Sequence, residues 1–381
     1  MPTTKLKNTL YRAALPFCAP SCGPSPVTEA QGHPLTSQRS FVRLIRRHHV
    51  LGSVTLLESD GSSAVICTSS AEPAHTARPQ TYFRVASVTK LATSVLVMRL
   101  VDEGVLSLDA PVSSCLPDSG VLDGITLRHL LSHTSGLADP PGLEESVENG
   151  VPFTEIVPSA RVRAPGSGFR YSNLGFGLIG CVLESVLGEP VGTVFSERLF
   201  IPVGMNATLE GCTLPKERIM PVTRILPWHR GMDLVLTRLG SVPLMHPDPL
   251  RHYGHTAGSM YTDASSLQKL LHILIRDDAS FLSGSARSEM IREHASYGAL
   301  SPSLSYGLGV LRILDPAVSG SLVYGHQGFA YGCADGAFWE ADTGRIMITL
   351  NGGCSEARSG RLGLANRDFL RWAFRKELPS W

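Results

Sequence analysis

Ser87 and Lys90 are the residues of this chain whose types and spacing point most directly to chemistry. A serine hydroxyl is a poor nucleophile until a base removes its proton. A lysine three residues later on the same helix lies one turn away, so its nitrogen can reach the hydroxyl. Burial lowers the pKa of a lysine because desolvation disfavours the charged form. The apolar run at residues 91–98 predicts a centrally buried helix, so the pair indicates a serine activated by a lysine.

Two other polar segments could complete a reactive site. Tyr171 and Asn173 stand two residues apart at the start of a predicted helix, after a glycine-containing loop. His326 and Gly328 stand two residues apart at the end of a predicted strand. Taken singly, a tyrosine at a helix start is usually a packed or capping residue, and a lone histidine is usually structural. These segments indicate chemistry only if the fold brings them to Ser87.

The order and spacing of the three segments resemble the three motifs of the serine β-lactamase and penicillin-binding-protein superfamily. The motifs are Ser-Val-Thr-Lys at 87–90, Tyr-Ser-Asn at 171–173 and His-Gln-Gly at 326–328. The Tyr-Ser-Asn form is that of class C β-lactamases, D-Ala-D-Ala carboxypeptidases, D-aminopeptidases and related esterases and acyltransferases. Segments 125–137 and 254–262 are similar to other parts of the family, and the resemblance covers roughly residues 40–375.

The resemblance implies a role for each matching residue. Ser87 would be the acylated nucleophile, and Lys90 would take or relay its proton. Tyr171 would be a partner base or the acid that protonates the leaving group. Asn173 would orient Lys90 and the amide side chain of the substrate.

The third motif implies a surface for the substrate. The backbone N–H groups of Ser87 and Phe329 would form the oxyanion hole. Gly328, without a side chain, would let the substrate lie against the strand edge. The motif begins with His326, which the resemblance implies is catalytic, instead of the lysine usual in class C β-lactamases. Histidine is often neutral near pH 7, so its positive field is weaker and depends on pH. Aromatic Phe329 and Tyr331 suggest a substrate with an apolar portion.

The leading prediction is therefore a serine hydrolase, esterase-like or peptidase-like, that cleaves a small ester, amide or peptide without a cofactor or a metal. Acyltransferase and β-lactamase activity on the same fold are alternatives within that class. A second class is a non-enzymatic, penicillin-binding-like sensor or scaffold that binds, or is acylated slowly once. Substrate identity and oligomeric state stay open.

Composition narrows the other possibilities. The chain has 381 residues with a formal net charge of +1, so we predict no nucleic-acid partner. Its eight cysteines lack metal-binding spacing, and a metal site at His129 and His133 would need further ligands. We identify no run of roughly 18 apolar residues and therefore predict no membrane span. Without a convincing signal peptide, we expect a cytoplasmic location.

The predicted fold class is α/β, or α+β, of the β-lactamase and transpeptidase type. A hairpin at residues 52–57 and 64–68 would join C-terminal strands, including one at 307–313, in an antiparallel sheet flanked by helices. We predict a flexible leader at residues 1–36 and one domain at 37–381. A mostly helical lobe, roughly 105–305, would be inserted between its two parts. The proline-rich segment 213–256 is predicted to form a wall or lid over the site.

Overall fold

The computed structural model describes residues 29–31, 38–70, 76–221, 224–226, 229–231, 243–299, 301–356, 358–359 and 361–375. The helices in chain order are α1 (Gln38–Arg47), α2 (Thr89–Asp102), α3 (Leu127–Leu131), α4 (Leu143–Glu148), α5 (Phe153–Ala160), α6 (Asn173–Leu187), α7 (Val191–Phe195), α8 (Ile201–Val203), α9 (Ala264–Ile275), α10 (Gly284–Ile291) and α11 (Leu364–Phe374). The strands in chain order are β1 (Glu29–Gln31), β2 (Gly52–Ser59), β3 (Ser62–Ser69), β4 (Phe83–Arg84), β5 (Ala207–Thr208), β6 (Arg224–Leu226), β7 (His229–Gly231), β8 (Tyr261–Thr262), β9 (Ala295–Ser296), β10 (Leu304–Tyr306), β11 (Leu311–Ile313), β12 (Val323–Ala330), β13 (Cys333–Glu340), β14 (Ile346–Gly352), β15 (Arg358–Ser359) and β16 (Leu362–Gly363).

Both ends of the chain build one antiparallel sheet. Its nine strands follow the order β1-β3-β2-β14-β13-β12-β11-β10-β9, and β14 pairs with β2 along its whole length. The β2–β3 hairpin turns at Asp60 and Gly61, which both have positive φ. A tight two-residue hairpin needs this backbone, and Asp-Gly is one of the pairs that adopts it readily. The structure confirms the predicted mixed α/β fold with an antiparallel sheet and flanking helices.

Side chains alternate between two cores, one on each face of the sheet. Leu56 and Ile348 belong to the core that contains α2, α6 and α9. Leu57 and Met347, their neighbours in sequence, belong to the core that contains α1 and α11. This alternation follows from the two-residue period of a strand. Helix α2 is buried along most of its length, and Ser87 lies directly before it.

Outside the large sheet, the middle of the chain is mostly helical. The segment between α2 and β9 carries helices α3–α10 and the short strands β5–β8. Strands β4, β8 and β5 form a small sheet directly before the Ser87 turn. Within the segment predicted as a flexible leader, Glu29–Gln31 pairs with β3 at the edge of the large sheet. The rest of residues 1–36 lies outside the described residues.

The strand predicted at residues 307–313 is shorter in the structure, where only β11 (Leu311–Ile313) falls within that range. Strand β10 ends at Tyr306, and the Gly307 N–H then donates to the Val310 carbonyl at 2.8 Å to make a turn before β11. Gly309 in this turn has a φ of +71°, and a Cβ there would lie 1.8 Å from Ser94 Oγ on α2. The break therefore comes from close packing of the turn against α2, which the alternating pattern does not reveal.

A helix that crosses a bilayer must be both long and apolar. In the part of the chain that the structure describes, no single helix is long and apolar enough to cross it. The pair Asn173–Leu187 and Val191–Val203, bent by 88°, meets the length and composition criteria only when taken together.

We predict that Gly177→Ala destabilises the fold. A Cβ at Gly177 on α6 would lie 1.6 Å from the carbonyl oxygen of Tyr253, so backbone must move. Overpacking of this kind costs about 1–3 kcal/mol, which exceeds the gain of roughly 1 kcal/mol in helix propensity from glycine to alanine. The free energy of unfolding, measured in urea, should therefore fall. Gly120→Ala is the control because a Cβ there meets nothing within 4 Å. Equal stability of the two variants would contradict the packing argument.

Candidate active site

Ser87 lies in a single 3₁₀ turn, Ala86–Val88, between β4 and α2. Ala86 has a φ of +45°, a left-handed conformation that costs a non-glycine residue about 1–3 kcal/mol. Thr89 holds the turn, because its hydroxyl donates to the Ala86 carbonyl at 2.6 Å and accepts from the Met260 N–H at 3.1 Å. The turn presents Ser87 to two clefts that meet at this residue.

Lys90 is completely buried, and its Nζ has three oxygen neighbours. Ser87 Oγ lies at 3.1 Å, Asn173 Oδ1 at 2.8 Å and the Ala257 carbonyl at 2.6 Å. The orientation of the Asn173 amide is fixed because its Nδ2 donates to an Asp139 oxygen at 2.8 Å. Three segments distant in sequence thus surround one side-chain nitrogen.

Burial lowers the pKa of Lys90 to about 7. This value includes the effects of two charged neighbours, because Asp139 raises the pKa of Lys90 and Arg84 lowers it. Above pH 7 the amine is therefore mainly neutral, with two N–H bonds and one lone pair. The Asn173 and Ala257 oxygens can only accept, so they take both N–H bonds. The lone pair then faces the Ser87 hydroxyl, which is the arrangement of a general base.

Tyr171 is the second group that touches the nucleophile. Its hydroxyl donates to Ser87 Oγ at 2.8 Å, and its ring centroid lies 4.9 Å from Lys90 Nζ. Burial raises the pKa of Tyr171, although the hydrogen bond to Ser87 acts in the opposite direction. The phenol is therefore protonated at neutral pH. This geometry favours the role of proton donor over that of phenolate base.

Asp139 organises the start of α6 and was not singled out from the sequence. Its carboxylate accepts from the Ser172 hydroxyl at 3.0 Å, the Leu174 N–H at 3.0 Å and the Asn173 amide at 2.8 Å. A carboxylate at a helix N-terminus is stabilised by the free N–H groups and the helix dipole. The helix begins 34 residues after Asp139, so no local pattern links the two.

His133 supports Tyr171 from behind. It is buried with a φ of +58°, and its Nδ1 accepts from the Ser172 N–H at 3.2 Å. Its ring centroid lies 4.3 Å from that of Tyr171 and 4.9 Å from that of Tyr306. Burial lowers the pKa of His133 well below its usual value, so the ring is neutral. His133 therefore positions Tyr171 through these contacts. His129 is not part of this group, and its Nδ1 accepts from the Thr126 N–H at 3.3 Å.

His326 lines the smaller cleft, but both of its ring nitrogens are engaged away from Ser87. Its Nδ1 lies 2.7 Å from the Gln327 carbonyl, which can only accept, so Nδ1 carries the hydrogen. Its Nε2 then accepts from the Tyr306 hydroxyl at 2.7 Å. Burial lowers the pKa of His326 to about 3, with Lys90 contributing in the same direction. His326 is therefore neutral, and it supplies no cation at this position near pH 7.

Strand β12 passes directly against the nucleophile turn. A Cβ at Gly328 would lie 2.3 Å from the Val85 carbonyl oxygen, so the missing side chain makes room for the protein backbone, where we expected room for substrate. Strand β11 pairs with β12 only at residues 323–325, so the ladder on that side ends before His326. Phe329 lies beyond that point and borders both clefts. The expected oxyanion hole at Ser87 and Phe329 would lie where the clefts meet.

The two clefts have different linings. The larger one has a volume of about 370 Å³, and its walls include Arg84, Asp139, Leu143, Tyr253 and Tyr331. The smaller one has a volume of about 240 Å³, and its walls include Tyr171, Tyr297, His326, Arg358 and Arg361. Ser87, Asn173 and Phe329 border both.

The proline-rich segment contributes to the site in part. Tyr253 and Gly254 line the larger cleft. Much of 222–242, where we predicted a lid or wall, lies outside the described residues.

Comparison with known sequences gives a consistent picture. A Beta-lactamase family model matches residues 39–351. Esterase EstB of Burkholderia gladioli is 28% identical over 372 residues, which cover 86% of this chain and 92% of that protein. The D-alanyl-D-alanine-carboxypeptidase/endopeptidase AmpH of Escherichia coli is 31% identical over 219 residues, which cover 52% of this chain and 57% of AmpH.

Solved structures share the fold. EstCE1, described as a hydrolase with promiscuous acyltransferase activity, superposes with a TM-score of 0.69 at 23% identity, covering 86% of this chain and 96% of that one. A D-stereospecific amidohydrolase from Streptomyces sp. superposes with a TM-score of 0.63 at 26% identity, covering 84% of this chain and 93% of that one.

We predict that kcat/KM on an uncharged ester rises with pH through about 7 and then levels off. The neutral Lys90 amine is the active form, and its pKa of about 7 means that protonation removes the base at lower pH. A pH–rate profile of His326→Gln should keep this limb at the same pH, because His326 is already neutral there. Lys90→Met should lose roughly 10²–10⁴-fold in kcat/KM. Lys216→Met, at an exposed position, is the control. A limb that moves in His326→Gln would contradict the assignment to Lys90.

We also predict that His133→Leu lowers kcat about tenfold with little change in KM. The substitution removes the acceptor for the Ser172 N–H and loosens Tyr171, which contributes at the chemical step and not to substrate binding. His133→Asn is the matched variant, since asparagine tolerates positive φ and carries an acceptor oxygen, and it should retain more of kcat. Steady-state kinetics would measure both. Equal losses in the two variants, or a change confined to KM, would argue against a positioning role.

Proposed function

The chain belongs to the Beta-lactamase family, and we propose that it is a hydrolase that cleaves a small ester or amide through an acyl-enzyme on Ser87. One observation carries the proposal. The lone pair of Lys90 faces Ser87 Oγ because two other oxygens, each able only to accept, take both of its N–H bonds. The nucleophile therefore has a base aligned with it before any substrate binds.

In the acylation step, the Ser87 proton passes to Lys90 as Oγ attacks the substrate carbonyl. The carbonyl π electrons move onto oxygen, and the oxyanion accepts hydrogen bonds from the backbone N–H groups of Ser87 and Phe329. Lys90 becomes an ammonium whose third N–H replaces the lone pair. Each oxyanion-hole donor is worth roughly 10²–10³ in rate for this type of chemistry.

Collapse of the tetrahedral intermediate needs a proton on the leaving atom. Tyr171 supports this step because its protonated hydroxyl lies 2.8 Å from Ser87 Oγ. As the bond to the leaving group breaks, Tyr171 gives its proton to the leaving oxygen or nitrogen, and Lys90 returns the serine proton to Tyr171. Tyr171 lines the smaller cleft and not the larger one. We therefore assign the smaller cleft to the leaving group and call it the leaving-group cleft; the larger is the acyl cleft.

Deacylation uses the same groups in reverse. A water enters the vacated leaving-group cleft and gives its proton to the restored Tyr171–Lys90 pair as it attacks the acyl carbon. As the bond between the acyl carbon and Ser87 Oγ breaks, the carboxylic acid product leaves and Oγ takes a proton back from the Tyr171–Lys90 pair. An alcohol or amine in place of water would give acyl transfer, the activity named for EstCE1, and competition between the two nucleophiles distinguishes these outcomes.

The choice of ester or amide rests on the relatives and on the clefts. The sequence match to Esterase EstB covers 86% of this chain, and the structural match to the D-stereospecific amidohydrolase covers 84% of it. His326 is neutral, so the third motif provides no lysine-like cation. Hydrolysis of β-lactams thus ranks below hydrolysis of simple esters and amides.

We predict that Ser87→Ala abolishes both turnover of a simple ester and covalent labelling. The wild-type protein should gain the mass of one fluorophosphonate probe minus HF, since Ser87 Oγ displaces fluoride from phosphorus, and intact-protein mass spectrometry reads this gain. A fluorescent penicillin, tested in parallel, reports whether penicillin-type amides also acylate the site. Ser159→Ala is the control, since Ser159 is exposed and donates to the Ile156 carbonyl on α5.

The outcomes of these experiments distinguish a hydrolase from a non-enzymatic sensor. Labelling by the fluorophosphonate with steady turnover supports a hydrolase, and additional penicillin labelling extends it towards peptidase chemistry. One burst of product without further turnover would instead support the hypothesis of a sensor that is acylated once. Full ester turnover in Ser87→Ala would rule out Ser87 as the nucleophile.

A further inference from the structure

The Arg84 guanidinium is a buried cation whose Nε has no hydrogen-bond partner among the described residues. Arg84 ends β4, three residues before Ser87, and only 9% of its surface is exposed. Its Nε is shielded from solvent and has no acceptor. Its Cζ lies 5.6 Å from the centroid of the Tyr331 ring. Because a guanidinium carries five donors and buried polar groups are normally paired, this group is prepared for an acceptor from outside the chain.

Asp335 is a neighbouring carboxyl group that does not hydrogen-bond to the Arg84 Nε. Asp335 is completely buried on β13, where its Oδ1 accepts from the Asn351 N–H at 2.7 Å and its Oδ2 has no partner within the described structure. Burial raises the pKa of Asp335 well above its usual value, although Asn351 and Arg84 act in the opposite direction. Asp335 Oδ2 and Arg84 Nε are each without a hydrogen-bond partner in the described structure, so this carboxyl group is not paired with the Arg84 Nε.

Arg84 belongs to the acyl cleft, close to the nucleophile. Arg84, Ala86 and Ser87 line this cleft together. A Cβ at Gly258 would lie 3.6 Å from the Ala86 carbonyl carbon and 3.8 Å from Arg84 Nη2, so the guanidinium lies beside the nucleophile turn. A group bound by Arg84 is thus within the same cavity as an acyl chain on Ser87.

Acidic residues also line the acyl cleft, but they are placed differently. Asp139 is exposed and already accepts three hydrogen bonds at the start of α6. Glu144 is exposed on α4. Arg84 is the buried charge of this cavity, where desolvation strengthens its interaction with an anion.

We propose that Arg84 binds a carboxylate carried by the acyl group of the substrate, so that the preferred substrates are monoesters or monoamides of short dicarboxylic acids. The inference rests on the proposed function, because it assigns the larger cleft to the acyl group. Two parallel N–H···O bonds from a guanidinium match the two oxygens of a carboxylate. An acyl chain bound this way is held at both ends, by Arg84 and by the ester carbon at Ser87.

Three esters with one leaving group test the inference. They are 4-nitrophenyl hydrogen adipate, its methyl-capped form and 4-nitrophenyl 6-aminohexanoate, with uncatalysed hydrolysis subtracted. We expect kcat/KM of the wild-type protein to be at least about tenfold higher for the carboxylate ester than for the other two. Arg84→Gln should lower kcat/KM for the carboxylate ester about 10–100-fold more than for the capped ester. Arg84→Lys, which keeps the charge, should recover part of the preference.

Controls separate the possible failures. Arg78→Gln removes one exposed positive charge nearby and should keep the wild-type ratio between substrates. Equal kcat/KM for all three esters, or preference for the aminohexanoate, would overturn the Arg84 inference while Ser87 labelling and turnover still supported a hydrolase. Equal losses on all substrates in Arg84→Gln and Arg84→Lys, with lower melting temperatures, would mean that Arg84 is structural. Loss of both labelling and turnover in the wild-type protein would instead reject the proposed function.

Discussion

The burial of Lys90 is the constraint on which the rest of the site depends. A lysine in water is almost fully protonated at pH 7 and cannot act as a base. Complete burial lowers its pKa to about 7, and the oxygens of Asn173 and Ala257 then determine where its lone pair lies. Both conditions are necessary, because a neutral amine without fixed acceptors would not be aligned with Ser87. The proposed reactivity of Ser87 therefore depends on the burial of Lys90 and on the Asn173 and Ala257 oxygens beside it.

Enclosing Lys90 requires backbone segments to approach one another closely. Strand β12 reaches the nucleophile turn at Gly328, helix α6 reaches the Tyr253 backbone at Gly177, and the β10–β11 turn reaches α2 at Gly309. A Cβ at any of these positions would collide with an atom of the neighbouring segment. The segments belong to the sheet, the lobe and the turn between two strands. The site therefore depends on close contacts between segments distant in sequence, and these glycines allow that packing.

Features that depend on residues close together in sequence were easier to predict than features that depend on residues far apart in sequence. Ser87 and Lys90 are three residues apart, and the alternating strands and the Asp60–Gly61 turn are also local, so the contact between Ser87 and Lys90 and the mixed fold were predictable. Tyr171 and Asn173 were found through their motif, and the structure brings Tyr171 to Ser87 and Asn173 to Lys90. Asp139 and His133 act on a helix far along the chain, and the environment of Arg84 includes β13, so no local pattern revealed them. The position of the His326 ring depends on Tyr306, a residue on another strand.

The resting site is nearly free of charge at its centre, and this has a consequence for catalysis. Above pH 7 Lys90 is neutral, Tyr171 holds its proton, and His326 carries no charge. In the proposed mechanism, attack by Ser87 creates an ammonium and an oxyanion together, in a buried place with little dielectric screening. Their attraction exists in the transition state and not in the bound substrate, and only interactions of that kind accelerate the chemical step. Permanent cations lie towards the clefts instead, Arg84 in one and Arg358 and Arg361 in the other, where they can select substrates without stabilising the ground state of the reacting atoms.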